Sequence, residues 1–285
     1  MIFRSRPFLF RAAAAALIAL GAAAAEADDL VPLRTAVDAT FAPHAMAKLG
    51  GGLQGFNIDL GEELAKRLGR KLEVDGAEFS GLIPGLNSKR YDFLLAPVTV
   101  NEERAKVLLF TEGYLDTNYT FLGLKSSAPV AKLEDLKGKT ISVNKGSNYE
   151  SWAKDNADKY GFKYDVYGSN ADAVQAVLSS RADYNLAGST VVGWIAKQNP
   201  MLKTGFTIKT GYVWALAFRI DDKAGRDAAS NALKCMKKDG TVSKLAVKWF
   251  GFKPDADDAA NTIAPGTGVP GTPGYDPTPV TPKCA

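Results

Sequence analysis

The sequence predicts an α/β protein with two lobes joined by two hinge strands. Short apolar runs alternate with helical patterns along the chain, which is typical of strands joined by crossover helices. The alternation forms two series, and two longer apolar strands, 117–125 and 213–221, stand on either side of the second series. Such paired strands would form a two-stranded hinge, so the second series is expected to be a lobe inserted into the first.

The first series begins with a predicted strand at 33–37. Apolar residues then recur every four positions from Phe56 to Leu68, and Gly69 follows, which predicts one helix face and its end. The remaining predicted elements of this series are a strand at 72–74, a short helix at 82–86 and a strand at 91–96.

The second series repeats this arrangement. In chain order its predicted elements are a strand at 139–143, a helix from 149, strand 164–166, helix 171–178, strand 183–187 and a helix through Trp194. Two helices, 224–238 and 241–249, close the body. We therefore expect a first lobe of residues 28–121 and 219–255, a second lobe of residues 122–218, and a small-ligand cleft between them.

The first 27 residues have the features of a secretory signal peptide. Arg4, Arg6 and Arg11 come before or at the start of an apolar run, and small residues lead to Ala27. The run is shorter than the roughly 20 residues of a membrane-spanning helix; an N-terminal anchor is the alternative. Cleavage removes three arginines and one glutamate, so the formal net charge falls from +4 to +2. We predict a periplasmic protein, and nothing in its charge favours nucleic acid.

Two cysteines, Cys235 and Cys284, lie far apart in the sequence. Because the leader directs the chain to an oxidising compartment, we predict that they form a disulfide, with two free thiols as the alternative. Residues 256–285 form a tail rich in proline, glycine and threonine without apolar periodicity. The disulfide would tie this tail to the body.

The sequence predicts no metal site, no cofactor and no catalytic residue. Two cysteines and the single His44 are too widely separated for a zinc site, and GKTISVNKG lacks the spacing of a phosphate loop. His44 is expected on a surface-like turn, where a solvated or packed imidazole is more common than a catalytic one. Asp38, Glu112 and Lys145 are candidate cleft acids or bases, although the sequence places no pair together.

Arg104 is the first candidate ligand-binding residue. It stands five positions after Thr99, where a loop enters a helix, in the stretch VTVNEERAKVLLFTEGY (98–114). The planar guanidinium can bind a carboxylate through two parallel hydrogen bonds. From these residues alone, Arg104 is either a carboxylate clamp or a solvated surface charge.

Seven stretches of the chain together resemble the periplasmic amino-acid-binding proteins of ABC importers, the solute-binding family 3 type. They are DATFAP (38–43), GFNIDLGEELAKRLG (55–69), EFSGLIPGLNSKRYDFLLA (78–96), TVNEERAKVLLFTEGY (99–114), LEDLKGKTISVNKGSNYE (133–150), SSRADYNLAGSTVVGWIAKQNP (179–200) and KKDGTVSKLAVKWFG (237–251). No single stretch is specific, but the ordered set is. The resemblance implies a periplasmic-binding-protein clamshell that closes on one small molecule and delivers it to a membrane permease.

The resemblance also implies roles for individual residues. The family arginine that matches Arg104 grips the ligand carboxylate, assisted by backbone N–H groups at positions matching Thr99 and Asn148. The second of these belongs to a helix N-terminus, which offers unpaired donors. Phe41 and Phe79 match residues that sandwich the ligand side chain, with a purely structural place in the core as the alternative.

Three further positions belong to the implied site. Asp38 matches an acid that lines the pocket and can accept a ligand ammonium or guanidinium; a turn cap is the alternative. Asn144 matches a position that contacts the ligand side chain, and Ser147 lies with it on the second lobe. Because Arg104 and Thr99 lie on the first lobe, the ligand is expected to drive closure.

The match departs from the family at two site positions. Gly188 replaces an acid that holds the ligand α-ammonium, and Pro97 replaces a serine that supplies a polar contact. A buried cation without a partner is costly, so three interpretations stay open. Asp38 takes over the ammonium; or the ligand lacks an α-amine and Gly188 leaves room for its bulk; or the fold now serves as a partner of a periplasmic enzyme.

The sequence therefore predicts a monomeric periplasmic solute-binding protein. It would capture a small carboxylate-bearing solute, an amino acid or a related organic acid, and deliver it to an ABC permease. The alternative is a dehydratase-like enzyme, because some relatives with this clamshell are periplasmic dehydratases.

Overall fold

The computed structural model describes residues 1–2 and 31–284, so the predicted signal peptide lies almost entirely outside the described residues. The first part of the chain contains, in order, strands β1 (Leu33–Val37), β2 (Met46–Ala47) and β3 (Leu53–Gln54), helix α1 (Phe56–Arg67), strand β4 (Leu72–Gly76), helix α2 (Phe79–Asn87), strand β5 (Phe93–Thr99), helix α3 (Glu102–Ala105) and strand β6 (Leu108–Phe110). The predicted strands and helices of this first series are all present, with bounds that differ by a few residues.

The rest of the chain carries the second series and the closing helices. In order these are strand β7 (Leu115–Leu124), strand β8 (Thr140–Asn144), helix α4 (Asn148–Tyr160), strand β9 (Lys163–Tyr167), helix α5 (Asn170–Leu178), strand β10 (Tyr184–Gly188), helix α6 (Ser189–Gln198), strand β11 (Leu202–Arg219), helix α7 (Lys223–Lys238) and helix α8 (Thr241–Phe250). A short 3₁₀ turn at Leu133–Leu136 precedes β8.

A mixed sheet joins the two series in the order β4-β1-β5-β11-β7-β10-β8-β9, with β6 also paired to β11. Strands β4, β1 and β5 are parallel and form the sheet of the first lobe. Strands β10, β8 and β9 are parallel and form the sheet of the second lobe. The antiparallel strands β7 and β11 lie between them and connect the lobes. The predicted α/β architecture with two hinge strands is confirmed.

The second hinge strand is much longer than the predicted 213–221. It begins at Leu202, and its pairing with β7 shifts register between Thr204 and Thr207 and again between Ile208 and Tyr212. Much of its first half is only partly buried, so the sequence there lacks the continuous apolar run that marks its last residues.

Helix α1 buries the predicted face, since Phe56, Leu60 and Leu64 are almost completely inaccessible. The helix begins after Gly55, whose φ of 146° is rarely adopted by other residues. A Cβ atom at Gly55 would also lie 2.3 Å from the carbonyl oxygen of His44. The glycine therefore allows the helix start to approach the His44 segment closely.

Glu112 lies away from the cleft, so its prediction as a candidate cleft acid is wrong. Its carboxylate is buried and forms ion pairs with Lys234 and Lys237 of α7, at 2.8 and 2.7 Å. Burial lowers the pKa of Lys237 although Glu112 opposes that change. Carbonyl oxygens of Thr262 and Ala264 in the C-terminal tail accept hydrogen bonds from the two lysines. These buried ion pairs make Glu112 a structural counter-ion for the two lysines.

The predicted disulfide between Cys235 and Cys284 is confirmed, with an S–S distance of 2.05 Å. It fixes the end of the tail to α7, and the Asn231 side chain exchanges two hydrogen bonds with the backbone of Lys283. The tail is thus packed against the body rather than free.

The described residues also bear on membrane and metal binding. None of the helices at 1–2 or 31–284 is both long and apolar enough to span a bilayer. In the same part of the chain, no group of three or more His, Cys, Asp or Glu residues could hold a metal ion.

Candidate ligand-binding cleft

A small cavity between the lobes is lined by nine of the ten residues predicted to bind ligand, together with Tyr149. The nine are Asp38, Phe41, Phe79, Pro97, Thr99, Arg104, Asn144, Ser147 and Asn148. The cavity has a volume of about 20 Å³, close to the space that one water molecule needs. The lobes must therefore separate before a solute can enter. Two larger cavities of about 500 Å³ lie elsewhere, and Arg104 lines neither.

Arg104 is positioned by the short helix α3 directly after β5. The side chain of Asn101 caps this helix by accepting a hydrogen bond from the Arg104 N–H at 2.8 Å. The partly buried guanidinium donates to the carbonyl oxygens of Thr99 on the first lobe and Gly146 on the second, each at 3.0 Å. It also lies over the Phe79 ring at 5.6 Å.

Burial lowers the pKa of Arg104, because desolvation disfavours the charged form. Among the described residues, the Arg104 guanidinium donates its hydrogen bonds to neutral carbonyl oxygens. It forms no ion pair with a carboxylate of those residues. The positive charge of Arg104 is therefore available to a bound anion.

Asp38 and Asn144 face each other across the cleft. The Asn144 amide donates to one Asp38 oxygen at 3.0 Å, and the other oxygen accepts hydrogen bonds from the backbone N–H and hydroxyl of Thr40. The side-chain oxygen of Asn144 is buried and has no hydrogen-bond partner. It is an available acceptor in a residue that lines the cavity.

The N-terminus of α4 forms the second-lobe wall. Ser147 caps this helix by accepting from the Glu150 N–H, and its hydroxyl donates to the Asn144 carbonyl. Asn148 accepts a hydrogen bond from Asn101 of the first lobe at 2.9 Å and donates to the Tyr119 hydroxyl at 3.1 Å. Ser147 thus connects the start of α4 to the end of β8, and Asn148 connects it to the first lobe.

His44 is completely buried, so its predicted location on a surface-like turn is wrong. Its Nδ1 lies 2.9 Å from Asn57 Oδ1 and its Nε2 lies 2.7 Å from Thr190 Oγ1. The Asn57 amide nitrogen donates to the Leu95 carbonyl and the Tyr114 hydroxyl, so Asn57 Oδ1 is the acceptor and His44 Nδ1 carries the proton. Burial lowers the pKa of His44 to about 4, so the imidazole is neutral at pH 7.

Gly188 ends β10 beside the cavity but does not line it. A Cβ atom there would lie 2.7 Å from Trp214 Cη2 and 3.0 Å from the Tyr149 hydroxyl. The expectation that Gly188 leaves room for a bulky ligand is therefore wrong in this arrangement, because two rings fill that space. Lys145, the other candidate base, is exposed and does not line the cavity.

Tyr149 lines the cavity but was not predicted from the sequence, and Trp214 packs edge-on against Phe41 without lining the cavity. Tyr149 immediately follows Asn148, and a helix start was predicted there, so its place near the cleft follows from that prediction. Trp214 stands in the predicted hinge strand, β11, and is buried. No pattern in the sequence connects the two rings to Gly188.

Residues 33–252 match the family profile of the bacterial extracellular solute-binding proteins, family 3, and the chain belongs to this family. It is 35% identical over 207 residues to an arginine-binding extracellular protein of Bacillus subtilis (strain 168), which covers 71% of this chain and 80% of that relative. The family consists of binding proteins, which is consistent with the arrangement of the cleft.

Solved structures show the same fold. An ancestral arginine-binding protein bound to arginine superposes with a TM-score of 0.74 at 35% identity, covering 77% of this chain and 98% of the other. An ancestral amino acid-binding protein described as a precursor of cyclohexadienyl dehydratase gives a TM-score of 0.72 at 33% identity, covering 77% and 95%. The fold is the two-lobe clamshell of periplasmic binding proteins.

Proposed function

We propose that this protein captures a small carboxylate-bearing solute in the periplasm and delivers it to an ABC permease. Arg104 is the observation that carries the proposal. Its guanidinium lies in the cleft, and its hydrogen bonds to the Thr99 and Gly146 carbonyls leave its charge unbalanced. A ligand carboxylate would supply the missing negative charge through a paired, charge-assisted contact.

The opposite side of the cavity supports a ligand that also carries a hydrogen-bond donor. Asp38 and the unpartnered side-chain oxygen of Asn144 are acceptors there. Phe41 and Phe79 add aromatic surface to the lining, which suits an apolar stem between two polar ends. An amino acid or a related organic acid has this distribution of groups.

Contacts between the lobes support closure around the ligand. Arg104 reaches Gly146, Asn101 reaches Asn148, and Asn144 reaches Asp38. We propose lobes of residues 28–121 with 219–255 and of residues 122–218, which meet at these pairs. A ligand that contacts Arg104 and Asn144 together would favour the closed state, because it gains contacts that are absent when the lobes are apart.

Secretion and partners complete the proposal. A signal peptide over residues 1–27 would direct the mature chain to the periplasm, with residues 256–285 as its tail. We propose that the protein acts as a monomer without a cofactor and meets its permease through outer lobe surfaces.

Binding, rather than catalysis, is the function that the cleft supports. Asp38 is the one carboxylate among the residues that line the cavity in the described part of the chain. General acid–base catalysis would need a second titratable group in reach of the reacting atoms. The structural neighbour, and not this protein, is the one described as a precursor of a dehydratase, and no arrangement of side chains within residues 31–284 favours that activity.

A thermal-shift screen followed by calorimetry tests the proposal. The mature protein would be titrated with the amino acids and with organic acids of matched size, alongside Arg104→Ala and the control Arg90→Ala. Arg90 is an exposed arginine of the first lobe, paired with Asp75. We expect at least one acid to bind wild type and the control but not Arg104→Ala, with an unchanged circular dichroism spectrum. Full affinity in Arg104→Ala would refute the role of the arginine.

A further inference from the structure

The two elements that carry and follow Arg104 are short. Helix α3 has four residues, a single turn that is not stable by itself. Strand β6, which follows two residues later, has three residues and pairs with β11 alone among the described strands. The position of the Arg104 backbone therefore depends on what else packs against α3 and β6.

The C-terminal tail packs against both elements. A Cβ atom at Gly274 would lie 3.2 Å from Leu109 Cδ2 and 4.0 Å from the carbonyl oxygens of Ala105 and Leu108. Gly274 also has a φ of 78°, which favours glycine. The tail thus approaches β6 and the residue that directly follows Arg104.

Arg226 of helix α7 joins the tail to the end of β6. It is 1% exposed, and its Nη1 donates to the Gly274 carbonyl at 3.2 Å, with a longer contact of 3.5 Å to the Phe110 carbonyl. Its Nε donates to Asp227 at 2.6 Å. A buried side chain that bonds to two separate backbone segments holds them in a fixed relation, because each lost bond would leave a buried polar group unsatisfied.

Val269 connects the tail to the cleft through an apolar cluster. The cluster includes Ala105, Leu108 and Phe110, and Val269 packs against it. Phe79 packs against the same cluster, lines the cavity and lies under the Arg104 guanidinium. The cluster thus contacts both the tail and the cleft.

Residues 267–276, here called the tail loop, are themselves anchored. The backbones of Thr267 and Asp276 exchange two hydrogen bonds, at 2.8 and 2.9 Å. The Asp276 carboxylate forms an ion pair with Lys223 of α7 at 3.4 Å. The disulfide of Cys284 fixes the end of the tail to the same helix. The tail loop is therefore held on α7, where it can act as a support for β6 and α3.

We infer that the tail loop and Arg226 are positioning elements for Arg104. The inference rests on the proposed function, in which Arg104 binds the ligand carboxylate. The tail loop supports the backbone beside Arg104, so that the guanidinium stays where it reaches the Thr99 and Gly146 carbonyls. A charged group that is held in advance in its binding geometry loses much of its effect when its support shifts.

Paired ligands separate a positioning role from a merely structural one. Calorimetry would titrate L-arginine, L-glutamine, L-phenylalanine and L-leucine, each alongside its α-carboxamide. The tightest acid of the wider screen and its primary amide replace them if none of the four binds. An amide lacks the carboxylate that Arg104 holds, so its affinity should depend little on where the guanidinium lies. A general loss of structure would weaken acid and amide alike.

Two substitutions in the full-length mature chain disturb the support. Arg226→Met keeps the bulk of the side chain and removes its hydrogen bonds, and Val269→Ala removes two methyl groups from the cluster contact. In each, the dissociation constant of the acid should rise by about fivefold or more while that of the amide changes by less than about twofold. An unchanged acid affinity in both variants, or equal weakening of acid and amide, overturns the inference.

Val280→Ala is the matched control, because this tail valine is 42% exposed. It should leave both constants unchanged. Urea unfolding of each variant shows whether it is folded under the conditions of the titration. Val269→Ala is the milder substitution and keeps the test decisive if Arg226→Met does not fold.

A double-mutant cycle tests whether the support acts through Arg104. Arg226→Met should weaken acid binding less in an Arg104→Lys background than in wild type, because the bidentate contact that it supports is already lost. Equal effects in the two backgrounds overturn the inference.

Failure of the inference can be distinguished from failure of the proposed function. If wild type binds an acid, Arg104→Ala abolishes that binding and the support variants leave it unchanged, the proposed function stands and the inference is overturned. If no acid in the wider screen binds the wild-type protein, both are overturned.

Discussion

The Nε2 atom of His44 lies 2.7 Å from Oγ1 of Thr190, and this hydrogen bond joins the first lobe to helix α6 of the second. The imidazole accepts the bond, because its Nδ1 proton is donated to Asn57. The rings of Phe56, Trp214 and Phe250 surround it at centroid distances between 4.7 and 5.8 Å. A protonated His44 would therefore be a cation in an apolar enclosure.

This environment predicts a loss of stability in mild acid. The pKa of His44 is about 4 in the folded protein, against an ordinary value of 6.5. As the pH falls below 6.5, the unfolded chain binds a proton that the folded protein does not bind until about pH 4. The free energy of unfolding should thus be fully retained above pH 6.5 and fall by about 3 kcal/mol by pH 4 through this residue.

Urea unfolding of wild type and His44→Gln at pH 7, 5 and 4 measures this effect. The variant should be less stable at pH 7, and the difference should shrink as the pH falls, because only wild type contains the titrating imidazole. Parallel pH profiles for the two proteins would show that His44 does not cause the loss.

Arg104→Lys should weaken ligand binding even though the charge is retained. Lysine carries its charge on a compact ammonium and cannot present two parallel donors to a carboxylate or keep the contacts to Thr99 and Gly146 together. We expect the dissociation constant to rise by about 10- to 100-fold in calorimetry. An unchanged constant would mean that charge alone, without the guanidinium geometry, holds the ligand.

Removing the disulfide should destabilise the fold. The bond closes a segment with a sequence separation of 49 between Cys235 and Cys284. The Cys235→Ala, Cys284→Ala double variant should lose roughly 2–4 kcal/mol of unfolding free energy. Chemical denaturation measures the loss, and wild type in reductant is the comparison. Equal midpoints for oxidised wild type and the double variant would contradict this prediction.

Glu112→Gln should be strongly destabilising without touching the cleft. The substitution preserves shape but leaves the ammonium groups of Lys234 and Lys237 buried without a carboxylate. The expected loss is about 3–5 kcal/mol, measured by urea unfolding. Glu134→Gln, at an exposed position, is the control and should change stability little. If the two variants lose the same amount, the buried charges are compensated in another way.

The sequence predicted the elements with strong local periodicity. Helix α1 was found from apolar residues at four-residue spacing, and its buried face is the predicted one. The first half of β11 was not found, since its partly buried residues and register shifts produce no apolar run. Its pairing depends on β7, which lies far away in the sequence.

The candidate site shows the same contrast between local sequence patterns and long-range contacts. The stretches that resemble the family placed nine residues around the cavity, including Arg104. The burial of His44 depends on Trp214 and Phe250, which are distant in the sequence. The filling of the Gly188 side by Tyr149 likewise depends on packing between helix α4 and strand β10, which are about 40 residues apart in the sequence. Tertiary contacts of this kind leave no local pattern.

Anchoring of the ligand carboxylate by Arg104 makes a direct prediction about ligand chemistry. The most direct test is calorimetry of wild type with the tightest-binding acid and with the primary amide of the same acid. The amide keeps the size of the ligand and removes its negative charge, so we predict an affinity lower by about 100-fold or more. Equal affinities for the acid and its amide would show that Arg104 does not anchor the ligand through its carboxylate.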